Sequence, residues 1–186
     1  MTNSKTENFR IAVLGLDHDH VWTVAAEFQA SDGVDVIAAA DRDGQLRAKA
    51  ERDLGVLTYE NFTELLDRER LDAVCIYTDN RSSAELAIDA ALRGLHVLVE
   101  KPMAKNATDA ERMIDAAEQN GTRLMVNWPF AWWPNLQLAT RMVLEENTIG
   151  RLLQVRYRGA HEGIVAMGHS QQFADWVEDE ERAGGG

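Results

Sequence analysis

Five short apolar runs, each followed by a stretch with helical spacing, constrain this chain more than any other feature. They are Phe9–Leu14, Val34–Ala40, Ala73–Tyr77, the run from Leu95 to Val99, and Arg123–Val126. All are rich in aliphatic residues and largely lack apolar–polar alternation, the pattern of strands covered on both faces. Between them, apolar residues recur at helical spacing at Val21, Val24, Ala25 and Phe28, over Gly44–Leu54 with Gly55 as its stop, over Ser82–Arg93 closed by Gly94, and from Thr108 to Gly121. A short helix is expected within Tyr59–Asp67. Strands alternating with helices predict an α/β fold built on a doubly wound parallel sheet.

The composition changes at Asn127. Trp128, Trp132 and Trp133 crowd around Pro129 and Pro134, a helix is expected over Pro134–Glu146, and Arg151–Gly159 alternates apolar and polar residues as a half-exposed strand does. Residues from Glu162 to Gly186 read as loop. The expected domains are therefore 1–127, a complete parallel-sheet unit, and 128–186, the start of a second α/β domain that stops before its sheet is complete.

Net charge is −12 over 186 residues, which argues against a nucleic-acid partner. The polar start of the chain and the absence of any long apolar run predict a cytoplasmic protein with no membrane partner. Cys75 is the single cysteine and sits in an apolar run, so a buried structural thiol is expected.

Candidate chemistry gathers at strand ends. In His96–Pro102 the apolar run breaks at Glu100, Lys101 and Pro102; proline removes a ladder donor, so the strand must end with Lys101 at its carboxyl edge. That edge is where open α/β sheets bind ligands. Gly15 stands at the first strand-to-helix turn, the place where helix N-terminal N–H groups hold a pyrophosphate. The usual further glycines are replaced by Asp17 and His20. An Asp17 carboxylate would repel a pyrophosphate unless it turned away, for example to cap the helix. Asp41 ends the second strand about 20 residues on, where a carboxylate accepts ribose hydrogen bonds; a helix cap is its competing role. A carboxylate there favours NAD, and Arg42 keeps NADP open as the alternative. His18 and His20 also resemble the His-x-His metal pair of amidohydrolases, but that architecture needs a complete barrel that this length does not supply, so no metal is assigned. The tryptophans offer faces to a sugar ring or to interdomain packing, and His161 and His169 offer acid or hydrogen-bonding groups or are solvated loop residues.

Together these segments resemble the Gfo/Idh/MocA family of oxidoreductases from Arg10 onward. The most specific part is the helix with Glu85, Leu86, Ala87 and Ile88, followed by Gly94, His96, Val97 and the Glu100-Lys101-Pro102 signature. Ala40-Asp41, Thr78 with Asn80, Asn127 with Pro134, and Ile149-Gly150-Arg151-Leu152-Leu153 add support. The resemblance implies a Rossmann domain binding NAD or NADP, then an α/β substrate domain that often supports homo-oligomers. It further implies hydride transfer between nicotinamide and a sugar, cyclitol or related polyol. Lys101 would hydrogen-bond or help deprotonate the substrate hydroxyl and Glu100 would help place the nicotinamide. Gly15, Leu16, Asp17, His18, Asp41, Arg42, Thr78 and Asn80 would complete the cofactor site, with Trp128 and His161 toward substrate. Asp79 and Ser83 depart from the Pro and His usual in the third-strand loop. The family's second signature, Asp followed four residues later by His, would come just after a glycine-rich stretch like Ala183–Gly186, where this sequence stops. The alternative reading is a nucleotide-binding or regulatory module without chemistry.

Overall fold

In a computed structural model, which describes residues 7–160 and 162–184, the chain forms a six-stranded sheet in the spatial order β3-β2-β1-β4-β5-β6. Its strands are β1 (Phe9–Leu14), β2 (Val34–Ala40), β3 (Leu57–Tyr59), β4 (Ala73–Ile76), β5 (His96–Glu100) and β6 (Leu124–Asn127), and every neighbouring pair is parallel. The expected α/β doubly wound sheet is thus observed. Helices α1 (His20–Gln29), α2 (Gly44–Leu54), α3 (Phe62–Arg68), α4 (Asn80–Leu92) and α5 (Ala107–Gln119) connect the strands.

Strand alternation divides the interior into two layers. Ala12, Leu14, Val74, Ile76, Val97 and Val99 face one way, onto α3, α4 and α5 through Leu65, Ala87 and Met113. Ile11, Val13, Cys75 and Tyr77 face the other way, onto α1 and α2 through Val21, Ala25 and Ala50. Small residues line both helices where they meet the sheet, so helix and strand backbones approach closely. Cys75 is buried among these side chains, and burial pushes its thiol up to about 12, as expected of a structural cysteine.

Strand order reverses between β1 and β4, which opens a crevice at their carboxyl ends. Gly15 leaves β1 there with φ +85°, and a Cβ at this position would lie 2.5 Å from Thr78 Cβ and 2.8 Å from the Tyr77 carbonyl oxygen. Both the left-handed backbone and the contact exclude a side chain. Gly15→Ala should therefore lower stability by about 2–3 kcal/mol in urea denaturation; an unchanged midpoint would show that the turn relaxes freely.

Four expectations are refined or corrected, the first two keeping the expected helices and shifting only their bounds. Tyr59 belongs to β3, an edge strand pairing Ala40 with Tyr59, while Asn61 accepts from Thr63 N–H and starts α3 only afterwards. The helix from Pro134 is α-helical as α7 (Pro134–Thr140) and then widens to a π-helical turn over Arg141–Glu145; a single turn, α6 (Pro129–Trp132), precedes it. Residues 151–159 form no strand: Leu153, Val155 and Tyr157 are 78%, 74% and 79% exposed, and among the described residues no neighbouring strand meets their backbone. Alternation marks a segment fit for a sheet, but the ladder needs a partner.

The fourth correction concerns residues 162–184, which are not all loop. Ser170 and Asp179 cap α8 (Gln171–Val177) and α9 (Glu180–Ala183), and Phe173, Trp176 and Ala183 are buried. These two helices return to the crevice at the end of β1.

Candidate functional site

The site is assembled from the ends of five strands along the carboxyl edge. Asp41 follows β2, and its carboxylate accepts the Leu16 N–H at 2.7 Å and the Asp43 N–H at 2.8 Å. The competing role of Asp41 as helix cap is not observed, because Asp43 caps α2 by accepting from Gln45 N–H. Asp41 instead ties the glycine turn to the end of β2. Burial raises its carboxyl above the ordinary carboxylate range, while the two backbone donors pull it back. Arg42 beside it is exposed.

Asp17 has turned away from the helix N-terminus. Its Oδ2 accepts from Arg182 Nη2 at 3.0 Å, and the same guanidinium reaches Asp79 at 3.0 Å through Nε. The expected helix-capping role of Asp17 is therefore not observed; Asp19 occupies that position without a capping side-chain bond, and its carboxylate binds Ser170. Burial, followed by the nearby Asp41, pushes the Asp17 carboxyl up to about 6 against the attraction of Arg182 and a Thr78 hydrogen bond. A carboxylate whose charge is engaged by arginine no longer opposes an anion at this turn as a free one would. The residues thus fit a dinucleotide: a glycine turn at the N-terminus of α1, a carboxylate at the end of β2, and an Asp17 whose charge is engaged elsewhere.

The third group lies at the ends of β4, β5 and β6. Glu100 shares the α1 side of the sheet with Leu98, as strand alternation requires. Glu100 Oε2 accepts from Asn127 Nδ2 at 2.7 Å, Asn127 Nδ2 also approaches the Tyr77 hydroxyl at 3.5 Å, and Trp132 Nε1 donates to Asn127 Oδ1 at 3.3 Å. Burial raises the Tyr77 hydroxyl far above its usual range, so it stays neutral and accepts from Asn127. The other carboxylate oxygen, Glu100 Oε1, is buried without a hydrogen-bond partner among the described residues.

His18 is fully buried beneath Phe173 and Trp176, at ring-centroid distances of 4.3 and 5.9 Å. Burial, then the nearby His20, Lys101 and His169, push its imidazole down to about 2, which keeps it neutral. His20 lies 4.6 Å from His18 by centroid and reaches Glu100 Oε1 with Nδ1 at 3.3 Å. His169 lies 5.8 Å from His20 by centroid and pairs with Asp19 at 3.4 Å; it belongs to the site rather than to a solvated loop.

Of the residues expected from sequence, Gly15, Leu16, Asp17, Asp41, Thr78 and Asn80 meet around the crevice, and His18 joins Glu100 and Lys101 at its other side. Asn80 is buried and donates to the Ala183 carbonyl at 2.8 Å. Trp128 is not brought into this network: it is about half exposed and stands edge-on to Phe130. Trp132 and Trp133 instead line a groove of about 750 Å³ with His20, Leu98, Met125 and Asn127. His161 lies outside the described residues. Sequence reasoning gave no site role to Tyr77, Asn127 or Arg182. The first two could have been found as polar strand-end residues of the parallel sheet, but Arg182 carries no local signal.

The family model described as "Oxidoreductase family, NAD-binding Rossmann fold", Gfo/Idh/MocA, matches residues 9–128. The chain belongs to the Gfo/Idh/MocA oxidoreductase family. It is 30% identical over 155 residues to D-apiose dehydrogenase of Paraburkholderia graminis, covering 80% of this chain and 40% of that protein. It is 36% identical over 136 residues to D-xylose 1-dehydrogenase (NADP(+)) 2 of Haloferax volcanii, covering 72% and 41%. Among solved structures, WlbA dehydrogenase from Bordetella pertussis in complex with NADH and UDP-GlcNAcA superposes with a TM-score of 0.69 at 25% identity, covering 77% of this chain and 44% of that one. The chain spans about two fifths of the length of these curated relatives, 40% and 41%.

Proposed function

We propose that this chain is the cofactor-binding part of an NAD(P)-dependent dehydrogenase that transfers hydride between nicotinamide and a carbinol carbon of a sugar, cyclitol or related polyol. The observation that carries the reading is the crevice itself. Asp41 and the glycine turn stand on one side of the strand-order reversal, and Glu100, Asn127 and Lys101 stand on the other. Hydride chemistry is supplied by the nicotinamide when bound. The chain's part is to bind the adenosine ribose at Asp41, to orient the nicotinamide beside Glu100, and to hold or move the hydroxyl proton at Lys101 Nζ. Related dehydrogenases of apiose and xylose support the substrate class.

The division into 1–127 as the dinucleotide domain and 128–186 as the beginning of a substrate and oligomerisation domain belongs to this proposal. It is supported by β6 ending at Asn127 and by the exposure of the tryptophan-rich stretch that follows. A homo-oligomer in the cytoplasm is proposed on the resemblance to this family, and the absence of a nucleic-acid partner on the net charge of −12; among the described residues no helix is long and apolar enough to cross a membrane.

The test is NADH and NADPH titration by fluorescence. NADH should bind, and Asp41→Ala should weaken it by about 10- to 100-fold, the equivalent of losing ribose bonds worth about 1.5–3 kcal/mol. Failure of both nucleotides to bind would overturn the reading.

A further inference from the structure

The turn between β1 and α1 and the end of β5 bring two imidazoles and a carboxylate together. One ligand atom each from His18, His20 and Glu100 lies within 4.8 Å of the other two. The pair His20 Nδ1 and Glu100 Oε1 is 3.3 Å apart, close to the separation of about 3.4 Å between two ligands on a tetrahedral ion with bonds of about 2.1 Å. Despite that approach, Glu100 Oε1 has no hydrogen-bond partner among the described residues, and the Glu100 side chain is only 3% exposed. A buried carboxylate oxygen without a partner is costly. Its companion oxygen is fixed by Asn127 at 2.7 Å, which aims Oε1 toward the histidines.

We propose that His18, His20 and Glu100 form a binding site for a zinc-like divalent transition-metal ion at the carboxyl edge of the sheet. Two imidazoles and one carboxylate are a borderline nitrogen and oxygen donor set that suits Zn²⁺ and leaves a fourth position open. His18 and His20 are two residues apart, and His18 Nδ1 accepts the His20 backbone N–H at 3.3 Å, which leaves its other ring nitrogen for an ion. His20 is the partly exposed member, with 30% side-chain exposure, and gives the ion its route in from solvent. Asn127 supports the carboxylate from behind, the kind of outer hydrogen bond that orients metal ligands. The site shares Glu100 with the nicotinamide end of the proposed crevice and lies away from the ribose position at Asp41.

The experiment uses the full chain, stripped with a chelator and dialysed against Zn²⁺, with metal content measured by mass spectrometry and affinity by competition with a chromogenic chelator. One zinc per chain is expected, and Co²⁺ in its place should show the visible absorption of a tetrahedral ion. Glu100→Gln should weaken zinc by at least about 10-fold, and the His18→Ala/His20→Ala double variant should abolish stoichiometric binding, while His96→Ala should leave it intact. Circular dichroism identifies any variant that does not fold, and His20→Gln then carries the same expectation. Absence of zinc in the wild-type chain, or equal binding by the wild type and the double variant, would overturn the proposal. NADH titration of the stripped protein reads the dinucleotide site with no zinc at Glu100, so failure of one proposal is distinguishable from failure of the other.

Discussion

Lys101→Ala in the enzyme that carries this chain should lower kcat by at least about 100-fold, with a smaller change in NADH affinity. The reasoning begins at the end of β5. Strand alternation sends Glu100 to the α1 side, where Asn127 fixes it, and Lys101 follows just past the last residue of the strand. Lys101 is partly exposed, so its ammonium can reach a substrate hydroxyl in the crevice while Glu100 stays buried. A positioned group that gives or accepts a proton in the transition state contributes about 10²–10⁴ in rate. A group that only binds substrate would appear in KM instead. Lys101→Arg separates the two: it keeps the charge but not an amine that can exchange its proton, so kcat should remain low. Turnover of Lys101→Ala within a few-fold of the parent would sink the assignment.

The parallel sheet was legible because its evidence is local and repeated. Runs such as Val97–Val99 are apolar on both strand faces, and only a sheet covered on both sides by helices accommodates that. Asp41 and Glu100-Lys101-Pro102 were legible for the same reason, since a polar group ending an apolar run is visible in one dimension. Edge strand β3 was missed because a three-residue strand has no measurable period; its identity comes from pairing with β2. Arg151–Gly159 shows the opposite failure, a clear period with no strand beside it among the described residues.

The misread helices have a different cause. Asp17 reads in sequence as an obstacle to an anion, and its partner lies 165 residues away, at Arg182. Nothing in the neighbourhood of either residue announces the pair. Likewise, His18 and His20 suggested a metal pair on their own, yet Glu100 is added only when β5 is placed beside β1 and β4. Long-range polar pairs of this kind are the part of a site that sequence patterns do not carry.

The second large effect concerns the segment that returns to the glycine turn. Trp176→Ala should detach α8 and α9 from the crevice. The indole is 2% exposed, meets Phe173 edge-on at 5.3 Å between centroids, and donates from Nε1 to the Asp17 carbonyl oxygen at 3.1 Å. Truncating a buried tryptophan costs about 3–5 kcal/mol where the surroundings cannot collapse. Here the loss is bounded by the free energy of releasing the segment, because the two-layered sheet core does not depend on it. Hydrogen exchange should therefore accelerate over residues 171–183 while β1, β4 and β5 keep their protection. Arg182→Ala should act in the same direction more weakly. It leaves Asp17 and Asp79 facing each other without their shared cation, but Arg182 is about one-third exposed, so solvent screens part of that cost. The two effects should be less than additive in the double variant, since either one releases the same helices. Uniform acceleration of exchange across the whole sheet would contradict this, and would mean that the crevice segment is part of the folding core rather than a cover laid over it.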